Sequence, residues 1–322
     1  MRGVTVTVIS LLSVAMTGCA TAPSYQKQVS DLSDAFSKMK SSFDALAEDE
    51  RQTFVSLRTK KGLREGYLIL IPDKCYQEAN GRGRPTTSPF DCRPQIVSKA
   101  TREVVRTIEF SSVVPNATRL AGIIVDYAAG LVSITQSKDI ADLKDAVGKA
   151  GAAISKLQSD VTGASTSASF GAITGFATFA IGKLLDAERF ELLKGVVESA
   201  DPLVADAANL LSRDALKFQK SLVAQKSELL SLDNTQLEHL RNENADQATI
   251  AKAADSLVAS AVALEQFART DVISPFKKMR EAHGALLGGL RNPQIPPEVA
   301  FRQISEFVDQ IDKLRKGLEP TK

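Results

Sequence analysis

The chain has 322 residues, and its 40 Lys and Arg against 38 Asp and Glu leave a formal charge of +2. So even a balance gives no electrostatic footprint for nucleic acid or for a strongly acidic partner. With no Trp, 6% aromatic residues, and Ala, Leu, Lys, Glu, Asp and Ser dominant, the composition favours helix over sheet.

Arg2 is the only charge before Cys19, and Val4 to Met16 is an apolar run broken only by Thr5, Thr7, Ser10 and Ser13. A charged start, a short apolar core and a small-residue exit have the order of an export signal. The core is shorter than the about 20 apolar residues that a transmembrane helix needs. It closes on Met16-Thr17-Gly18-Cys19, which resembles the lipobox of bacterial lipoproteins, with Met16 where that family usually has Leu. The resemblance implies cleavage before Cys19 and acylation of that cysteine. Each buried methylene contributes about 0.8 kcal/mol, and two or more acyl chains make attachment stable. Ala20, not Asp, follows the cysteine. By resemblance to the Gram-negative sorting rule, that implies the outer membrane, facing the periplasm.

After a short polar tether, Val29, Leu32, Phe36, Met39, Phe43, Leu46 and Leu57 fall at heptad spacing, with polar Glu50 and Thr53 interrupting the seam. This predicts a long amphipathic helix that ends near Lys60-Lys61-Gly62, with cations in its last turn and Gly as the stop. Tyr67 to Ile71 is a compact apolar, strand-like run stopped by Pro72-Asp73; 80–94 is rich in Gly, Arg, Pro and Thr and reads as loop. The alternation over Glu103 to Val114 suits a second strand or a helix. Cys75 and Cys92 are a pair of the kind an oxidising compartment bridges. The loop so closed has a length for which chain-entropy models give ~3 kcal/mol. Without a nearby His the pair is a poor zinc site.

Pro115-Asn116 opens the helical body. Ala117 to about Val161 reads as one long helix, apolar in its first half (Leu120, Ile123, Ile124, Tyr127, Leu131, Ile134) and amphipathic in its second. A small polar stretch, 162–169, reads as a turn, and 170–199 as the next helix. Asp201-Pro202 places a capping residue before a helix-starting proline, so another helix is expected there, with a break near Asp233-Asn234. Ile250 to Leu290 is helical with Pro275 as a kink or boundary. Asn292 to Pro297 is a turn. The last helix, Glu298 to Leu318, carries Phe301, Ile304, Phe307, Val308, Ile311 and Leu314 on one face.

The expected fold is mainly α: an elongated bundle of long antiparallel helices with a small disulfide-stapled insertion and a candidate β-hairpin. The expected organisation is a signal peptide (1–18), lipidated tether (19–27), N-terminal helix (28–63), disulfide-closed insertion (64–114), helical bundle (115–319) and tail (320–322).

The segment 161–182 carries no charge, and Gly171, Gly175 and Gly182 stand at helix spacing within it. Small residues so placed let helix backbones approach closely. Opposite them, 148–153 is also Gly/Ala-rich, so a tightly packed hairpin around 145–185 is expected, buried in the bundle or able to enter lipid. Asp126, inside an apolar stretch, is expected at the edge of the stripe or paired with an Arg. His239 and His283 are the only histidines, and neither has a second His or Cys at ligand spacing or a serine nucleophile nearby. Gly81-Arg82-Gly83-Arg84 lacks the spacing of a phosphate-binding loop. Arg58, Lys60, Lys61, Arg64, Arg82 and Arg84 form a basic region beside the insertion, more in keeping with a helix end and a solvated loop than with a site. No catalytic residue, metal ligand or cofactor is therefore expected. The partners expected are membrane lipid, through acylated Cys19, and a protein or a second copy of the chain, with no nucleic acid. The expected function is that of a non-enzymatic, membrane-anchored envelope lipoprotein that binds or scaffolds a partner through helix faces. The alternative is a membrane-active, pore-forming-like protein using the 145–185 hairpin.

Overall fold

The computed structural model describes residues 25–65, 67–70, 95–98, 100–101, 103–107, 113–162, 185–292 and 294–318. These are mainly helical: α1 (Gln26–Glu65), α2 (Val113–Gln136), α3 (Ile140–Thr162), α4 (Leu185–Asn242), α5 (Gln247–Arg269), α6 (Ser274–Arg291) and α7 (Pro297–Leu318). Between α1 and α2 lies a three-stranded antiparallel sheet in the order β1 (Tyr67–Leu70), β2 (Gln95–Ser98), β3 (Val104–Thr107). Tyr67 stands opposite Ser98 and Leu70 opposite Gln95, and the β2–β3 register slips between Ile96 and Val97.

The α1 stripe is the spine of the core. Val29, Leu32, Phe36 and Met39 are fully buried, and Phe43, Leu46 and Leu57 nearly so. Contacts along it set the helix directions. Tyr25 meets Phe190 and Asp49 pairs with Lys226, so α4 runs parallel to α1. Phe36 meets Phe307 and Lys38 pairs with Asp312, so α7 is parallel too. Tyr25 lies against Gly289 and Phe43 against Phe276, so α6 is antiparallel. Arg189 donates to Ser137 at 3.2 Å, which joins the start of α4 to the end of α2.

Four expectations need correction. The stretch from Ala117 to Val161 is two helices, not one. Asp139 accepts from the Asp142 N–H at 2.8 Å and caps α3, while Ser137 donates back to the Ile134 carbonyl. Unbroken apolar periodicity hid a capping signal that was present in the sequence. Second, the helix through Pro202 does not start there. α4 passes through Pro202 in a single 58-residue helix. An interior proline costs ~3 kcal/mol, but Val196, Val197, Ala200, Val204 and Ala207 are fully buried on either side and hold the helix together. Third, α4 continues past Asp233 and ends at Asn242; Asn244 takes a left-handed conformation (φ 54°) after it, and Asp246 caps α5 by accepting from Thr249 N–H. Fourth, within Glu103–Val114 the described strand is Val104–Thr107 and Val113 already opens α2, while Gln95–Ser98 adds a strand that was not expected.

Pro275 proves to be a boundary, in the first turn of α6, where Asp271 accepts from the N–H groups of Ile273 and Ser274. α2 includes a stretch long and apolar enough to cross a membrane, yet Ile124, Tyr127 and Leu131 are fully buried within the bundle. Asp126 lies on its exposed edge.

The small residues of α3 have a close partner in α2. A Cβ on Gly130 would stand 2.7 Å from the Ala150 Cβ and 2.8 Å from its Cα. Together with the Arg119–Asp160 ion pair, this makes α2 and α3 an antiparallel hairpin. Because α4 is also antiparallel to α2, α3 and α4 run in the same direction, so 185–199 is not the return arm of a short-turn hairpin from α3. We expect Gly130→Ala to destabilise the fold by about 1–2 kcal/mol, overpacking outweighing the gain in helix propensity. Gly148→Ala, which meets nothing within 4 Å, is expected to stabilise by about 0.5–1 kcal/mol. Urea denaturation of both variants measures the two signs; a stabilised Gly130→Ala protein would contradict the close crossing.

Candidate functional site

Of the residues singled out from the sequence, Cys19, Cys75, Cys92, Gly171, Gly175 and Gly182 lie outside the described residues. The basic region is partly committed elsewhere. Lys60 pairs with Asp233 and Lys61 with Glu228 on α4, and the Arg58 guanidinium lies 5.3 Å from the centre of the Phe54 ring.

The polar centre of the molecule is one that the sequence reading set aside. His283, on α6, is fully buried. Its Nδ1 lies 2.9 Å from Asp201 Oδ1 on α4, and its Nε2 lies 2.9 Å from the Tyr127 hydroxyl on α2. A carboxylate only accepts, so Nδ1–H donates to Asp201; in the neutral ring Nε2 then accepts from Tyr127. The hydrogen bond from His283 holds the Asp201 carboxyl below the usual carboxylate range, against the effect of burial and with help from the charges of Arg291 and Arg280. Burial first, and the Asp201 charge second, push the Tyr127 phenol well above its ordinary value. Asp201 is 38% exposed, so the chain of bonds runs from the surface into the core. Tyr127, at its inner end, is fully buried. The arrangement resembles a proton relay in its atoms alone. With no exposed face on Tyr127 or His283 for a substrate to reach, what it does chemically is satisfy three polar groups and fix α2, α4 and α6 in register.

Sequence spacing could not reveal it, because Asp201 and Tyr127 are 82 and 156 residues from His283. The available signal was Asp201 before Pro202: once the helix runs through the proline, the aspartate is no longer needed as a cap.

A second feature is an open cleft of about 530 Å³ between the last turns of α5 and α7, lined by Val262, Glu265, Arg269, Thr270, Lys313 and Lys316 among others. Glu265 pairs with Arg269. The cations stand at two helix C-termini, where they complement the dipoles. Among the described residues no group of three His, Cys, Asp or Glu could hold a metal ion.

The third feature is α5 itself. Phe267 is its only buried residue among those described. It carries no charge from Ser256 to Leu264, and Val258 and Val262, one turn apart, are 62% and 51% exposed. Comparison with protein-family models, curated proteins and solved structures finds no match.

Proposed function

We propose that the chain is a membrane-anchored envelope lipoprotein without enzymatic activity, held by acyl chains on Cys19 at the outer membrane facing the periplasm, and that it binds or scaffolds a protein partner through helical surfaces. The observation that carries the reading is α5, a helix that leaves an apolar, uncharged face in solvent. An exposed apolar face at i, i+4 spacing is the feature that a partner helix or groove covers. Its position suits the task. α4 starts beside Tyr25, a few residues from the anchor, and its 58 residues carry the chain about 87 Å to the turn into α5. α5 is thus presented away from the membrane. A Cys75–Cys92 disulfide, closing the insertion that holds the sheet, belongs to the same reading of an exported protein.

The membrane-active alternative weighs less. In the described half of the 145–185 segment, Ala146, Ala150, Ala153 and Ile154 are buried, and Ala150 seats on Gly130, so release of α3 would uncover a large part of the core.

In-cell crosslinking followed by affinity capture tests the proposal. The unaltered chain is expected to sediment with membranes and to capture a recurrent protein. Val258→Asp combined with Val262→Asp should stay on the membrane but lose that protein by about tenfold or more. Cys19→Ser should move to the soluble fraction. Equal capture by the double variant would remove α5 from the reading, and a Cys19→Ser protein that stayed bound would remove the anchor.

A further inference from the structure

We propose that the end of the bundle carrying Tyr25 rests on the lipid surface itself, with Phe301, Val299 and Ile140 entering the headgroup region of a zwitterionic bilayer; this rests on the proposed anchor at Cys19.

The first ground is reach. Tyr25 is fully buried, 6.2 Å from Phe190 between ring centres and against Gly289, where a Cβ would stand 3.2 Å from its ring. α1 therefore begins fixed in the bundle end, and only residues 20–24 separate it from Cys19. Six residue steps span at most about 20 Å. Because α1, α4 and α7 start at this end and α6 finishes there, this end is the one the tether holds close to lipid.

The second ground is what that end displays. Ile304, Phe307, Ile311 and Leu314 continue the stripe of α7 into the core, fully or nearly buried. Phe301 lies on the same stripe, one turn earlier, and is 37% exposed. The stripe outruns the bundle there. What covers the ring is Lys27, whose ammonium lies 4.4 Å from its centre. A lysine stem over an aromatic ring at a boundary keeps its charge in water while the ring enters apolar surroundings. Val299, beside Phe301, and Ile140, at the first turn of α3, are also exposed; the end of α2 that precedes Ile140 is tied to the start of α4 through Ser137 and Arg189. So exposed large apolar side chains gather at the tethered end.

The third ground is charge. Lys27 pairs with Asp31 and Arg291 with Glu198, and exposed Lys138 and Arg302 are matched by exposed Asp139 and Glu298. A surface of mixed sign gains little from an anionic membrane; its apolar side chains supply the attraction, for which a zwitterionic bilayer suffices.

The chain has no tryptophan, so a single introduced indole reports its own position. Lipidated Phe301→Trp and Val262→Trp proteins would be reconstituted in phosphatidylcholine vesicles with and without bromine high on the acyl chains. The Phe301→Trp protein is expected to lose most of its emission in brominated vesicles, and the Val262→Trp protein to keep its emission in both. Vesicle-bound protein with neither indole quenched would show a bundle standing off on its tether and would overturn the docking while leaving the anchor intact. Equal quenching of both would show the molecule lying flat and would also overturn it. Failure to co-sediment with vesicles would reject the anchor, and the docking with it.

Discussion

Glu50→Gln is expected to abolish most of a loss of stability that the protein suffers as pH rises from about 5 to 8. Glu50 stands on the core-facing stripe of α1, between Leu46 and Leu57, and is 7% exposed. Burial alone is the cause that pushes its carboxyl up to about 7, from an ordinary 4.5. Below about 4.5 the group is protonated in both folded and unfolded chains and contributes no difference. As pH rises toward 7 the unfolded chain ionises freely while the folded one keeps its proton, so stability falls; above about 7 the full penalty is in place. A difference of about 2.5 units corresponds to about 3 kcal/mol. The charges that flank it in the chain are committed elsewhere, Asp49 to Lys226 at 2.8 Å and Arg51 to Glu48 at 2.6 Å. Carboxylates with depressed values, such as Asp201, Asp246 and Asp271, contribute in the opposite sense. Their stabilisation is present above their unfolded values and is lost in acid, below this window. Urea denaturation at pH 5 and pH 8 reads the effect. The unaltered protein should lose stability between the two, Glu50→Gln should flatten the difference, and Glu50→Leu should be more stable at pH 8 by about 3 kcal/mol. A Glu50→Gln protein with unchanged pH dependence would refute the buried carboxyl as its source.

The position of Glu50 was visible in the sequence, because it breaks a heptad seam that otherwise runs from Val29 to Leu57. Stripes of this sort were the most legible part of the fold. The α1 seam and the α7 face from Ile304 to Leu314 turn inward as their spacing requires, since one face of a helix must be buried for the helix to persist. The turn at Asn292–Pro297 and the boundary at Pro275 were legible for the same local reason. What the sequence concealed depended on tertiary contact. Pro202 is a stop signal in isolation, yet five fully buried side chains around it outweigh one lost hydrogen bond. The Gly/Ala run at 148–153 announced a close helix crossing and was assigned to the segment of Gly171 and Gly175, outside the described residues; the crossing with Gly130 was not legible, because one glycine inside an apolar stretch carries no pattern. Gln95–Ser98 is too short for an alternation to stand out. Phe301 is legible as a member of its stripe and illegible as an exposed residue, because only the length of α1 decides where the bundle ends.

His283→Leu tests the least legible feature, and the expected loss is about 3 kcal/mol. Leucine fills the volume but leaves the Tyr127 hydroxyl buried with no acceptor, a cost of about 1–3 kcal/mol. It also removes the donor that holds Asp201, which is exposed enough to turn toward water and recover part of its solvation. Tyr127→Phe alone leaves the buried His283 Nε2 without its donor and is expected to cost less, about 1–2 kcal/mol, because Asp201 keeps its bond to the ring. The informative measurement is the double variant, by thermal or urea unfolding at fixed pH. Once His283 is gone, deleting the hydroxyl should restore stability, so the two losses should fall short of additivity by about 1–2 kcal/mol. Asp201→Asn keeps an acceptor facing Nδ1–H and should cost less than His283→Leu. Strict additivity of Tyr127→Phe and His283→Leu would mean that the 2.9 Å bond between them carries no coupling. The three helices would then be held in register by their apolar stripes alone. A large coupling would instead explain why the core spends a histidine, a tyrosine and an aspartate on one junction. Apolar faces of α2, α4 and α6 slide past one another at little cost, whereas a chain of two directional bonds is satisfied in one register only.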